Sequence, residues 1–123
     1  MRSVLVEEAP QPIGPYSQAV VRGTMIFCSG QLGLDPMTNH LAAGAAEQTR
    51  MALSNLSAVL KGAGSSLSQT LKVTVYLTDL SYWNEVNQAY TEFFSPPYPA
   101  RSAVQVAALP KGAIVEIDII AFK

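Results

Sequence analysis

Hydrophobic positions along this 123-residue chain alternate in some stretches and recur at helical spacing in others. The stretch TLKVTVYL (residues 70–77) alternates strictly, which predicts a half-buried strand. Its apolar face is formed by Leu71, Val73, Val75 and Leu77. The stretch EQTRMALSNLSAVLKGAG (47–64) repeats apolar residues every three or four positions, which predicts a helix that stops near its glycines. The repeated positions are Leu53, Leu56, Val59, Leu60 and Ala63.

The same patterns predict the remaining elements. AVVRGTMIFCSGQL (19–32) is typical of two short strands joined by a turn at Arg22-Gly23. DLSYWNEVNQAYTEFF (79–94) predicts a second helix, with Asp79 or Ser81 as its N-cap and Pro96-Pro97 beyond its end. The predicted order is three short strands, helix, strand, helix and two strands. We therefore expect one α+β domain over residues 1–123, with two helices on one face of a mixed six-stranded sheet.

The last 29 residues, SPPYPARSAVQVAALPKGAIVEIDIIAFK, look like a hairpin closed by a four-residue linker, Leu109–Gly112. That register places Gln105 opposite Glu116 and places Arg101 roughly 13 Å along the strand from Glu116. Arg101, Gln105, Glu116 and Asp118 then share a face that points away from the helices. Apolar residues on the same face predict a subunit interface containing a polar pocket, in which Arg101 and Glu116 hold opposite ends of a ligand or pair with another subunit.

The amino-acid composition excludes several classes of function for this chain. Charged residues make up 14% of the chain, against roughly 25% in an average domain, which favours an oligomer that hides part of its surface. The net charge of −1 is scattered, so no broad surface for nucleic acid or anionic membrane is expected. With one cysteine and one histidine, neither an internal disulfide nor a usual zinc site is expected. No membrane span or signal peptide is evident, and a cytoplasmic location is predicted.

Four motifs resemble those of the reactive intermediate deaminase family, also called Rid, YjgF or endoribonuclease L-PSP-like. They are IGPYSQAV, CSGQLGLDP, WNEVNQAYTEFF and PARSAVQVAALPKGAIVEIDIIA, in the family's order and over essentially the whole chain. The resemblance implies a chorismate-mutase-like fold and a homotrimer with three clefts between neighbouring subunits. It implies hydrolysis of enamines and imines, 2-iminobutanoate and 2-iminopropanoate, to 2-oxo acids and ammonia without a cofactor.

The resemblance also implies roles for single residues. Arg101 matches the arginine that binds the substrate carboxylate, and Glu116 matches the carboxylate that positions or activates water. The other matched positions are the polar pocket residues Tyr16 and Asn87 and the loop residues Ser29 and Gly30, whose backbone meets the substrate. Many family members carry cysteine two residues after the arginine, whereas this chain has Ala103, so any thiol role is gone and only backbone contacts remain.

Two other functions stay open at this point. One is RNA cleavage with inhibition of translation, which the single histidine and the absence of a basic stripe disfavour. The other is a non-catalytic binder or chaperone-like trimer, which the presence of Arg101 disfavours. Without the family resemblance, Arg101 would be a structural or interface arginine and Glu116 an ordinary sheet-surface residue. Trp83 and Tyr90 are taken as core or interface aromatics.

Overall fold

The chain, described over residues 1–123 in a computed structural model, forms six strands and two α-helices in the order that the hydrophobic pattern predicts. Short 3₁₀ turns precede β4, α2 and β6. The elements are β1 (Arg2–Val4), β2 (Ala19–Arg22), β3 (Met25–Leu32), α1 (Ala45–Gly62), β4 (Thr70–Leu77), α2 (Trp83–Tyr90), β5 (Ala100–Gln105) and β6 (Val115–Phe122). No helix is long and apolar enough to cross a membrane.

The six strands form one mixed sheet in the order β1-β2-β3-β6-β4-β5. All neighbouring strands are antiparallel except β4 and β5, which are parallel. The last strand, β6, therefore lies inside the sheet between β3 and β4. Its buried side chains alternate with half-buried ones, as expected for a strand with one face on the core. The buried ones are Val115, Ile117, Ile119 and Ala121.

The two helices cover one face of this sheet, which confirms the predicted α+β arrangement. The five apolar positions predicted on the first helix, from Leu53 to Ala63, are fully buried in the single hydrophobic core. The helix ends at Gly62, whose missing side chain makes room for the N-terminal segment, because a Cβ there would lie 2.3 Å from a methyl carbon of Val6. On the second helix Val86 and Tyr90 are buried, as the pattern predicts.

The prediction that Leu71 lies on the buried face of β4 is wrong. The pairing of β4 with β6 shifts by one residue between Thr70 and Lys72, which marks a β-bulge. The extra residue turns Leu71 outward, where its side chain is 43% exposed, and buries Thr70 in its place. The alternation continues correctly from Val73 onward.

The predicted hairpin of β5 and β6 is also wrong. Residues 106–114 do not turn back on themselves but cross the end of β4, so that β4 lies between the two strands. Val73 pairs with Arg101 on one side and with Ile119 on the other, and Arg101 therefore lies on the helix-covered face. Glu116 pairs with Tyr76 on the opposite face. The two charged residues do not share a face, and Gln105 does not oppose Glu116.

The N-terminal segment is held by one buried amide side chain, that of Gln18, which is 1% exposed. Its Oε1 accepts a hydrogen bond from the Val6 backbone N–H at 2.7 Å. Its Nε2 donates to the carbonyl oxygens of Val6 and Pro10 at 3.1 and 3.0 Å. These three bonds satisfy backbone groups that have no strand partner, and they fix the course of the segment that leads to Tyr16.

Gln18→Ala should lower the free energy of unfolding by about 2–4 kcal/mol. Each buried backbone group left without its partner costs about 1–3 kcal/mol, and the cavity adds to the loss. Urea unfolding at a fixed protein concentration measures it. The exposed Gln88→Ala on α2 is the control and should change stability by less than about 0.5 kcal/mol. A loss below about 1 kcal/mol for Gln18→Ala would contradict this account of the segment.

Candidate active site

Four of the predicted site residues line one cavity of ≈ 410 Å³ at the edge of the sheet face that no helix covers. They come from different parts of the chain, namely the N-terminal loop, the end of β3 and the start of β6. The four are Tyr16, Ser29, Gly30 and Glu116. Lys111, in the turn before β6, lines the same cavity. The fold therefore brings together four residues that the family motifs single out, although they are up to 100 positions apart in the sequence.

Gly30 allows the carboxyl group of Glu116 to lie against the backbone of β3. The pairing of β3 with β6 shifts between Cys28 and Gln31, so Ser29 and Gly30 form a bulge. A Cβ on Gly30 would lie 2.9 Å from both Cδ and Oε2 of Glu116, closer than real Cβ contacts occur. The glycine thus leaves room for the carboxyl group in its present position, and its backbone angle is not unusual.

Ser29 and Tyr16 differ in how free their side chains are. The Ser29 hydroxyl donates to the carbonyl oxygen of Ser17 at 2.6 Å, and its N–H donates to that of Gln18 at 2.9 Å. These bonds join β3 to the N-terminal loop, so the hydroxyl has a structural partner. Tyr16 is 50% exposed, and its hydroxyl oxygen accepts only a long 3.5 Å bond from the Ile13 N–H. Its hydroxyl hydrogen remains available to a ligand.

The electrostatics of this cavity favour the neutral form of Glu116. The carboxyl is half-buried and makes no ion pair within the chain. Burial raises the pKa of Glu116, and the nearby carboxylate of Asp118 raises it further. Asp118 is itself held by the Tyr76 hydroxyl, which donates to Oδ2 at 3.0 Å. Glu116 therefore stays protonated to a higher pH than a free glutamate and is a stronger base once ionised.

Arg101 lines a different cavity of ≈ 420 Å³ beside α2, together with Asn87 and Tyr90. Its Nη1 donates to the Oδ1 of Asn87 at 2.9 Å. Its Cζ lies 4.6 Å from the ring centroid of Trp83 and 4.6 Å from that of Tyr90. Both distances are within the range of a cation–π contact. The guanidinium is thus oriented by the helix although its strand, β5, is exposed along all six residues.

Within one chain the predicted site is divided into two parts. Tyr16, Ser29, Gly30 and Glu116 line the first cavity, and Asn87 and Arg101 line the second, on the other side of the sheet. Ala103 lines neither cavity. It pairs with Val75 and shares the helix-covered face with Arg101.

The sequence analysis gives no site role to three aromatic residues beside these cavities, Tyr76, Trp83 and Tyr90, and places Asp118 on the face of Glu116 without a role. Trp83 and Tyr90 are predicted there as core or interface aromatics, yet with Asn87 they form a stripe at i, i+4 and i+7 on α2, which is the signal for a shared helix face. Tyr76 and Asp118 adjoin Glu116. The spacing of two residues between Glu116 and Asp118 already places both carboxylates on one side of β6.

Cys28, the single cysteine, points into the core and belongs to neither cavity. Burial raises the pKa of its thiol to about 12, with a smaller contribution from Asp118. The nucleophilic thiolate is therefore almost absent at neutral pH. The chemistry available to the chain is that of a carboxylate, a guanidinium, a tyrosine hydroxyl and water.

Comparisons with known proteins agree with the motifs over the full length. The family model described as endoribonuclease L-PSP matches residues 6–123. The human 2-iminobutanoate/2-iminopropanoate deaminase is 44% identical over 123 residues, covering 99% of this chain and 90% of the human protein. RidA from the Antarctic bacterium Psychrobacter sp. PAMC 21119 has a TM-score of 0.97 at 44% identity, with both chains fully covered. E. coli TdcF with bound serine has a TM-score of 0.96 at 40% identity, covering 100% and 99% of the two chains. The resemblance found in the motifs is confirmed, and the chain belongs to the Rid/YjgF/endoribonuclease L-PSP family.

Proposed function

We propose that this protein is a hydrolytic deaminase that converts 2-iminobutanoate and 2-iminopropanoate to 2-oxo acids and ammonia. The observation that carries the proposal is the Arg101 guanidinium, which is held at a cavity while its Nε–Nη2 edge makes no hydrogen bond within the chain. Such an edge matches a carboxylate with two parallel hydrogen bonds. Relatives that carry this activity in their names, from human and cattle, are 44% and 48% identical to the chain.

We further propose that the working site lies between two copies of the chain in a homotrimer. The Arg101 cavity and the Glu116 cavity are on opposite faces of the same sheet, so one copy cannot present both groups to one small molecule. The uncovered face also exposes apolar side chains in the middle and at the end of strands. These are Phe27, Val104 and Phe122. A neighbouring subunit that covers this face would bury them and bring its Arg101 to the Glu116 cavity.

In the proposed reaction each group has a separate task. Arg101 binds the carboxylate and presents the adjacent C=N carbon to water, which is worth more than binding alone. Ionised Glu116 accepts a proton as water attacks the carbon of the protonated imine, giving a neutral carbinolamine. Glu116 returns that proton to nitrogen, the C–N bond breaks with loss of ammonia, and the carboxylate takes the hydroxyl proton as the C=O bond forms. The hydroxyl of Tyr16 and the backbone of Ser29 and Gly30 line the space for the substrate. The only co-reactant is water.

RNA cleavage receives no support from the residue positions. The single histidine, His40, is exposed in the loop after β3 and lines neither cavity. An acid–base pair of the kind that cleaves a phosphodiester is therefore not assembled in either cavity. The name of the family model and the names of related solved structures from Thermotoga maritima and Entamoeba histolytica keep RNA among the substrates worth assaying.

Purified protein at micromolar concentration should accelerate release of 2-oxobutanoate from enzymatically generated 2-iminobutanoate above the spontaneous rate. Arg101→Ala should lower kcat/KM at least about 100-fold, because the substrate is no longer bound and oriented. Glu116→Gln should lower kcat about 10²–10⁴-fold, because the proton acceptor is lost. Lys61→Ala on the outer side of α1 is the control and should leave both constants unchanged. A wild-type rate equal to the spontaneous rate would refute the deaminase.

Mixing the two inactive variants should restore activity if each site takes Arg101 from one chain and Glu116 from another. Any trimer that contains both variants has one intact site in three, and random assembly makes three quarters of trimers mixed. Unfolding and refolding Arg101→Ala and Glu116→Gln together should therefore give about a quarter of the wild-type rate. The two variants refolded separately and then combined are the control. No recovery from the co-refolded sample would place both groups in one chain.

Glu116→Gln should raise the melting temperature at pH 7 and change it much less at pH 4. The raised pKa means that the folded state prefers protonated Glu116. The wild type therefore loses stability as the pH rises above the unfolded pKa of about 4.3 and through the folded value. The glutamine variant has no such loss. The other carboxylates contribute equally to both proteins, so they do not affect the difference between the two melting temperatures. Thermal unfolding at both values checks this, and a wild type more stable than the variant at pH 7 would contradict the electrostatic account.

A further inference from the structure

We propose that Trp83 and Tyr90 are positioning residues, which hold the guanidinium of Arg101 edge-on to the substrate carboxylate before the substrate arrives. The inference rests on the proposed function, since it concerns the arginine that the deaminase would use. The packing of the two rings against Arg101 does not depend on the reaction, because all of these contacts lie within one chain. It assigns a role to two side chains that would otherwise count as part of the core.

The first step is the geometry of the two rings. Trp83 and Tyr90 are seven positions apart on α2, so both face β5. The Cζ atom of Arg101 lies 4.6 Å from each ring centroid. Contact with two ring faces restricts the position of the charged group, while its N–H groups remain the donors for a ligand. Two such contacts fix the plane of the group more firmly than one would.

The second step is rotation within that plane, which Asn87 prevents. Asn87 lies between the two aromatic residues on the same helix, and its Oδ1 accepts from Nη1 at 2.9 Å. This bond leaves the Nε–Nη2 edge without a partner in the chain. That edge carries two parallel N–H donors, the pattern that a carboxylate accepts. The helix thus determines both the plane of the guanidinium and the edge that it presents.

The third step is that Tyr90 is held more rigidly by its neighbours than Arg101, which it supports. Tyr90 is 4% exposed and stacks on Phe94 with ring centroids 4.6 Å apart. Burial raises the pKa of Tyr90 and the adjacent Arg101 partly offsets this, so its hydroxyl is neutral and adds no negative charge beside the guanidinium. Arg101 extends from an exposed edge strand, where a long side chain would otherwise sample many rotamers. Contacts with the helix remove that freedom in advance, which lowers the entropy lost on binding.

The test compares two substitutions of Trp83, which is only half-buried. Trp83→Phe keeps a π-face and should leave KM within about twofold of wild type. Trp83→Leu keeps an apolar side chain without a π-face and should raise KM about five- to tenfold, with kcat within about twofold. Thermal unfolding confirms that both variants fold, and Trp83→Met replaces the leucine variant if that one does not. Equal KM values for the phenylalanine and leucine variants would overturn the proposal.

A double-mutant comparison with Arg101 distinguishes a positioning role of Trp83 from a purely structural one. In an Arg101→Gln background the cation is gone, and Trp83→Leu should then change KM less than twofold. Tyr82→Leu removes a neighbouring ring at the start of α2 that does not contact Arg101, and it should leave KM unchanged. If Trp83→Leu raises KM by the same factor in both backgrounds, Trp83 acts on the fold and the proposal fails.

A binding measurement keeps this inference distinct from the proposed function. Titration with 2-oxobutanoate, a stable carboxylate, reports on the Arg101 edge without any turnover. Trp83→Leu should weaken this binding about five- to tenfold, and Trp83→Phe should preserve it. Absence of deaminase activity together with this binding pattern would refute the function and support the positioning role. Deaminase activity with binding that is insensitive to the leucine variant would refute the positioning role alone.

Discussion

The parallel pairing of β5 with β4 is the constraint on which the rest of the site depends. Because β4 is shared by its two neighbours, it aligns Arg101 and Ile119 on one face and Val104 and Glu116 on the other. Arg101 is thereby directed to α2, whose aromatic residues and amide orient it. Glu116 is directed to the uncovered face, against the bulge of β3. An antiparallel hairpin of the same two segments would have placed both charges together and left α2 without a role in the chemistry.

The positions of all the elements except β1 could be predicted from the sequence, because alternation and helical spacing are properties of each segment alone. The partner of each strand could not, since alternation relates residues within a strand and says nothing about its neighbours. The linker before β6 favoured a hairpin, whereas the strand–helix–strand order around α2 was the better guide, because such crossovers usually join parallel strands. The bulge that exposes Leu71 has no sequence signal of comparable strength. For the site, the motifs identified Arg101 and Glu116, but an aromatic residue that supports a guanidinium has the same spacing as one that fills a core.

The two halves of the site are built on opposite energetic principles. At Glu116 the structure accepts unfavourable terms: a half-buried carboxyl, a second carboxylate nearby, and a glycine where any side chain would be too close. At Arg101 the contacts are favourable, because the charge lies over two rings and donates to an amide oxygen. A carboxyl group with a raised pKa requires the first environment, and the carboxylate receptor that we propose requires the second. Within one chain the two groups are on opposite faces, so only the guanidinium of a neighbouring subunit could reach the glutamate.

The burial of Cys28 has a chemical consequence for the proposed deaminase, because imines and 2-oxo acids have electrophilic carbon atoms. An accessible thiolate near such molecules would form covalent adducts and gradually inactivate its own protein. Here the sole cysteine is in the core with a pKa of about 12, and Ala103 stands where many family members carry cysteine. The chain therefore exposes no thiol to its proposed substrates. That protection depends on the packing of one side chain in the core and on alanine at position 103.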